Sequence, residues 1–368
     1  MHSLVDELAL TFIPGVGDIT QRNLIRHFGS AWAVIDSSAG MLQEVNGIGK
    51  KIAAQILDGK AKAYERAEQE IAFAKKHQIR ILCLDDPDYP YRLKECYDAP
   101  AVLYYRGNAD LNAVRIVSVV GTRHATGYGR GLCERLVEDL VAFGVTVVSG
   151  MAYGIDTIAH KSSVQQGLPT IGVMGHGLDQ IYPAQNRNLA VSMLRNGGLL
   201  SEFPSGTTPE RTNFPQRNRI IAGMADVTVV VEAAVRGGAL ITAEIANNYN
   251  RDVCAFPGNV HLPFSSGCNL LIKSHRANLI TCAKDLTYLM DWQPQEKAAE
   301  PAPLALTGNE KVLHDLLVDH EQLGIDEIAA RSGLAQSKLA IHLLELEMKG
   351  LVITMPGKLF RSTHRTSK

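Results

Sequence analysis

The stretch IVSVVGTRHATGYGRG, residues 116–131, decides the fold. Ile116 to Val120 form a β-favouring run without alternation, which reads as a strand buried on both faces. Gly121, Thr122 and Arg123 make a turn, and from about Gly127 the pattern becomes helical. Leu132, Cys133, Leu136, Val137, Leu140 and Val141 recur at helix spacing, and Gly144 follows as a stop. A strand, a glycine-bearing turn and a helix in this order are the unit of folds that hold phosphate at the turn.

The unit recurs along the chain. VTVVSG, PTIGVMG, GLLSEF, DVTVVVEA, DVCAFPG and NLIT repeat the strand signal between residues 145 and 281, with helix-length segments between most of them. The expected fold class is therefore α/β, a Rossmann-like, doubly wound, mostly parallel sheet, occupying an extended domain over 63–290. Before it, IPGVGDITQRNLIRHF and VNGIGKKIAAQILDG place two Gly-x-Gly turns 32 residues apart, each leading into a short helical pattern. Residues 1–62 thus read as a helix-hairpin-helix (SAM-like) domain, whose turns suit either phosphate contact or simple helical packing. Residues 291–304 are polar and rich in Pro and Ala, hence a linker. Residues 305–368 read as a winged helix: Ile325, Ile328 and Ala329 on one helix, Leu339, Leu343, Leu346 and Met348 on the next, then two strands around Pro356-Gly357. Lys338 and Lys349 stand against Glu345 and Glu347 there, so the module reads as a protein-contact or regulatory domain rather than a duplex reader.

The 368 residues carry a net charge of −1, with 46% hydrophobic and 20% charged side chains. No global positive field is present, so any anion site must be a local cluster. The six cysteines form no C-x-x-C pair and lie in or beside apolar runs, which suits buried thiols in a reducing cytoplasm. Asp6 and Glu7 stand where a signal peptide would be basic and then apolar, and no apolar run is long enough for a bilayer. The expectation is a cytoplasmic protein with no membrane partner.

In a parallel sheet, ligands bind beyond the C-terminal strand ends. Four such ends carry glycine loops: 121–123, 150–154, 175–177 and 236–239. Arg123, Arg187, Arg217, Arg219 and Arg236 come from loops or helices near that rim, and the helix from Gly127 is expected to point its positive end at it. A mononucleotide rarely needs so many arginines, whereas a nucleic-acid strand does. About five such contacts on single-stranded DNA imply a log–log salt slope near −3.5. Neither a dinucleotide fingerprint nor a P-loop is present, so no nucleotide cofactor and no metal are expected. Asp156 and His160 fall on one helix face but lack a nucleophile, and read as a helix cap and a backbone-bonded histidine. Tyr89, Tyr91, Tyr97, Tyr104 and Tyr105 read as core and loop packing.

The motifs VVGTRHATGYG, VVSGMAYGIDTIAH, GHGLDQIYPAQN, SEFPSGTTP…NFPQRNRIIAG, VVVEAA…GGALITA and AFPGNV…SSGCNLLI resemble, in order and spacing, the DNA-processing protein A (DprA/Smf) family over about residues 80–285. The resemblance implies a non-enzymatic, homodimeric recombination mediator of natural transformation. Such a protein binds and protects incoming single-stranded DNA, displaces single-strand binding protein and loads the RecA recombinase without ATP of its own. It implies a strand site at Gly121, Thr122 and Arg123, at Gln185, Asn186 and Arg187 after Tyr182-Pro183, at Arg217 and Asn218, and at Gly237 and Gly238. Two positions depart from the family pattern. Ala184 stands where many members have a basic residue, and GGAL replaces SGSL. An enzymatic alternative is a phosphoribohydrolase of the lysine-decarboxylase-like kind, through Gly237, Gly238, Thr242 and Glu244.

Overall fold

The sheet that the Val/Ile runs build has nine strands in a computed structural model. It describes residues 4–294 and, further on, 306, 308–320, 322–349, 351–355 and 359–362. The chain divides into two compact units, 1–294 and 295–368. The expected linker, 291–304, lies outside the described residues from 295 onward, as does the Pro356-Gly357 turn.

The first unit opens with helices α1 (Leu4–Thr11), α2 (Asp18–Phe28), α3 (Ala31–Asp36), α4 (Ala39–Gln43) and α5 (Lys50–Lys76). The sheet region follows as β1 (Arg80–Cys83), α6 (Tyr91–Lys94), β2 (Val102–Gly107), β3 (Ile116–Val120), α7 (Gly127–Leu140), β4 (Thr146–Ser149), α8 (Ile155–Gln166) and β5 (Thr170–Val173). It continues with α9 (Arg187–Met193), β6 (Gly197–Ser201), α10 (Asn213–Met224), β7 (Val227–Val230), α11 (Gly238–Asn248), β8 (Asp252–Ala255), α12 (Ser266–Lys273), β9 (Asn278–Leu279) and α13 (Ala283–Leu289). Strand order is β1-β2-β6-β5-β4-β3-β7-β8-β9. The seven strands from β3 to β9 pair in parallel, whereas β1 and β2 add an antiparallel edge. Strand β3 is buried at all five positions, as its unbroken apolar run requires.

The two Gly-x-Gly turns adopt matching backbones. Gly15 and Gly47 have φ of +82° and +90°, and Gly17 and Gly49 precede α2 and α5 in the same extended conformation. Their surroundings differ. In the first copy Asp18 accepts a hydrogen bond from the Ala101 amide at 2.9 Å and pairs with Arg219 at 2.9 Å, so this turn faces the sheet region. In the second, Lys50 and Lys51 are exposed.

Helix α5 runs unbroken through residue 62, where a domain boundary was expected. Its buried face (Ala53, Ile56, Ala63, Ala67, Ala74) shares one core with Cys83, Val102 and Tyr104 of β1 and β2. Buried Glu70 pairs with Arg66 at 2.7 Å and accepts from the Ser205 amide and hydroxyl. The helical segment and the sheet are thereby fused, which local composition does not reveal.

Arg219, expected at the strand site, is a correction. Its guanidinium is buried between Asp18, Glu202 and the Asp98 carbonyl, where it joins α2 to α10. Tyr89, Tyr104 and Tyr105 are core residues and Tyr91 and Tyr97 are exposed. Five cysteines are buried, and burial pushes the Cys133, Cys254 and Cys268 thiols up to about 12. Among the described residues no helix is long and apolar enough to cross a membrane.

The second unit consists of α14 (Gly308–Asp319), β10 (Leu323–Gly324), α15 (Ile325–Ser332), α16 (Gln336–Met348), β11 (Val352–Met355) and β12 (Leu359–Ser362). Its three strands are ordered β10-β12-β11 and its core holds Leu313, Leu317, Ile328, Leu339, Leu343 and Leu346. Met348, expected in that core, is 82% exposed because the helix turns it away.

Replacing Arg219 with Ala leaves Glu202 buried and uncompensated beside Asp18. Urea unfolding of Arg219→Ala is expected to show a loss of about 3–5 kcal/mol. An unchanged midpoint would show that the triad does not hold α2 on the sheet region.

Candidate nucleic-acid interface

The C-terminal ends of β3, β4, β5 and β7 meet at one rim. Loop 121–123 is fixed by its backbone: the Thr122 amide donates to the Glu232 carbonyl at 2.7 Å, and the Thr122 carbonyl accepts from Ile155 at 3.1 Å. Gly154, at φ +78°, lies so close that a Cβ there would sit 2.1 Å from the Thr122 carbonyl oxygen. The backbone is therefore held while the Arg123 side chain projects from it, its guanidinium 5.8 Å from the Phe214 ring centre.

Beneath lies Arg217, buried on α10. It donates to the carbonyls of Gly150, which begins the loop after β4, and Val173, which ends β5, and its Nε donates to Asn218 Oδ1 at 3.2 Å. Asp156 faces it: a Cβ added at Gly150 would fall 2.7 Å from both Arg217 Nη1 and Asp156 Oδ2. Burial lowers the Arg217 pKa to about 10 despite Asp156, and burial raises that of Asp156 although Arg217 and amide donors oppose it. Asn218 Nδ2 donates to the Gly238 carbonyl at 3.4 Å and so steadies the Gly237-Gly238 loop.

Together these segments enclose a cavity of about 720 Å³. Arg123, Arg211, Arg217 and Arg236 line it, with Asp156 as the one acid among the lining residues. Among the described residues, Arg123, Arg211 and Arg236 are exposed and have no carboxylate partner within 4.0 Å. Aromatic rings interleave with them. Tyr182 and Phe214 lie 6.0 Å apart at 34°, and His124 and Phe264 stack at 6.0 Å and 29°. Guanidiniums free of acids and flat rings with open faces are the donor set for phosphates and unpaired bases.

The sequence-derived residues divide. Gly121, Thr122, Arg123, Arg217, Asn218, Arg236, Gly237 and Gly238 all line the cavity, although Arg217 and Asn218 are its buried floor. Gln185, Asn186 and Arg187 do not line it. Gln185 accepts from the Tyr153 hydroxyl at 2.6 Å, Arg187 is exposed at the start of α9, and Asn186 is buried on the Met151 carbonyl and the Thr157 hydroxyl. Arg219 is the inward-facing residue described above. The positive end of α7 is also taken: Thr126 caps it, and the Glu232 carboxylate accepts from the Thr126 amide and hydroxyl at 2.9 and 2.7 Å. That helix therefore contributes no open anion site.

Sequence reasoning missed Arg211, Phe214, Tyr182, His124 and Phe264. The interleaving of Arg211, Phe214 and Arg217 in RTNFPQR was the available signal. Glu244, the acid of the enzymatic alternative, pairs with Arg276 at 2.7 Å and does not line the cavity. Asp156 accepts from Ala152, upstream of its own helix, rather than capping α8. His160 bonds the Thr170 hydroxyl at 2.7 Å in addition to the Ser149 backbone.

Residues 80–291 match the family model of DNA recombination-mediator protein A, and residues 297–358 match that of the DprA winged helix domain. The chain is 36% identical to Protein Smf of Synechocystis over 95% of this chain and 96% of that one. It is similar to the X-ray structure of DNA processing protein A from Streptococcus pneumoniae, with TM-score 0.67 and 30% identity over 80% of this chain and 99% of that one. A structure described as giving the single-stranded DNA binding mode of the Helicobacter pylori protein matches with TM-score 0.53 and 28% identity, over 59% of this chain and 98% of that one.

His160 is fully buried, and burial, reinforced by Arg217, lowers its pKa to about 3. Unfolded, it titrates near 6.5, so between pH 6.5 and 3 the unfolded chain binds the extra proton and native stability falls as the pH falls. From pH 8 to pH 5 the wild type should lose about 2 kcal/mol more than His160→Asn, as measured by urea unfolding. Parallel profiles would contradict a neutral native His160.

Proposed function

The chain belongs to the DNA recombination-mediator protein A family, and from that premise we propose that its rim cavity binds single-stranded DNA. The observation that carries this reading is the cavity itself, which gathers three acid-free arginines and two aromatic pairs on a chain of net charge −1. Arg123, Arg211 and Arg236 reach phosphates, while Phe214, Tyr182 and the His124–Phe264 pair offer faces to unstacked bases. Duplex DNA hides those base faces, so the site favours a single strand. Arg217 and Asn218 act from below by holding the loops.

The resemblance extends the proposal. The bound strand is incoming DNA in natural transformation, handed to the RecA recombinase while single-strand binding protein is displaced. The protein works as a homodimer in the cytoplasm, and the step is binding and transfer rather than catalysis. The location of Glu244 outside the cavity supports the non-enzymatic reading.

With three free arginines rather than five, the salt slope for a poly-dT oligonucleotide should be about −2. Arg123→Ala should flatten it by about 0.7. Phe214→Ala should weaken binding by about 1–3 kcal/mol and leave the slope unchanged. Fluorescence anisotropy across a salt series reads both. Competition by mononucleotides, or an unchanged slope in Arg123→Ala, would remove the strand from this cavity.

A further inference from the structure

The second helix of a helix-turn-helix pair, here α16 after α15, is normally the one laid into a major groove, and such a face is basic. Here it is apolar. Leu339, Leu343 and Leu346 are buried in the domain core. On the opposite side Ile341, Leu344 and Met348 are 57%, 58% and 82% exposed. Together with Ser337 these residues are spaced four, three and four apart, the a/d spacing of a coiled-coil seam. Lys338 and Glu345 flank the seam on one side, at e positions, and Ala340 and Glu347 flank it on the other, at g.

We propose that this face of α16 is a self-association surface on which α16 of a second copy packs antiparallel. The pattern is complementary to itself in that orientation. About a two-fold axis between residues 342 and 343, Ile341 meets the partner's Leu344, and Ser337, the small member of the seam, meets the partner's Met348. Antiparallel helices bring e positions against e positions, so Lys338 faces the partner's Glu345 and, by symmetry, Glu345 faces the partner's Lys338. Lys338 has no carboxylate partner among the described residues, and Glu345 meets His342 through one oxygen, Oε2, at 3.0 Å. A parallel pair would set g against e, bringing Ala340 to Glu345 with no opposite charge. A duplex would meet an apolar ridge with one lysine beside it. The surface therefore selects a second copy of this chain, and this inference stands apart from the strand-binding reading.

Three large side chains per copy make less than a standard interface, so the contact is weak and calls for sedimentation of the full chain at up to about 0.5 mM. Wild type should reach at least twice the limiting mass of Leu344→Asp, whatever other contacts the chain makes. Lys338→Glu should weaken association on the order of tenfold by placing like charges together, and the double variant Lys338→Glu/Glu345→Lys should restore it by exchanging them. These residues are at the surface, and the restored double variant excludes misfolding as the cause. Equal masses for wild type and Leu344→Asp would overturn the proposal. Failure of the double variant to recover would overturn the antiparallel register. Loss of duplex binding in Lys338→Glu with unchanged mass would assign the face to DNA instead.

Discussion

The structure depends on one buried cation. Arg217 donates from α10 to the carbonyls of Gly150, just past β4, and Val173, at the end of β5, and so ties the two parallel strand ends together. A buried guanidinium is costly unless its donors are used and its charge is opposed. Asp156 opposes it across Gly150, where no side chain fits. Asn218, its neighbour in sequence, reaches the Gly238 loop. The arrangement fixes α10, and α10 fixes both ends of the cavity: Phe214 at its mouth and Asn218 on its floor.

A protein of net charge −1 attracts polyanions only where its positive charges escape pairing. Several arginines around the sheet do not escape. Arg92 pairs with Asp226, Arg219 with Asp18 and Glu202, and Arg276 with Glu244. Those at the rim are left over, beside aromatic rings and away from other acids. Their separation from carboxylates, rather than their number, makes the field local.

Much of this was legible in the sequence. The unalternating Val/Ile runs announced strands buried on both faces; all seven proposed in this region formed strands, though β9, at the sheet edge, is exposed, and the spacing from Cys133 to Leu140 announced α7. The glycine loops pointed to the correct rim because topology alone brings C-terminal strand ends together. Side-chain direction was less legible. Arg217 and Arg219 lie two apart on a helix and so point to different sides, one under the cavity and the other toward α2. Glu232 neutralises the start of α7 from the segment just past β7, more than a hundred residues away, and no local pattern discloses that contact. Phe214 reads as an ordinary apolar residue until the fold sets it beside Arg123.

The most direct test is photocrosslinking of an oligonucleotide carrying 5-iodouracil, which couples to aromatic side chains it stacks against, followed by peptide mapping. The account predicts cross-links at Phe214, Tyr182 or the His124–Phe264 pair. Cross-links confined to residues 4–60 or to 308–362 would contradict it, and would move the strand to the helical hairpins or the winged helix.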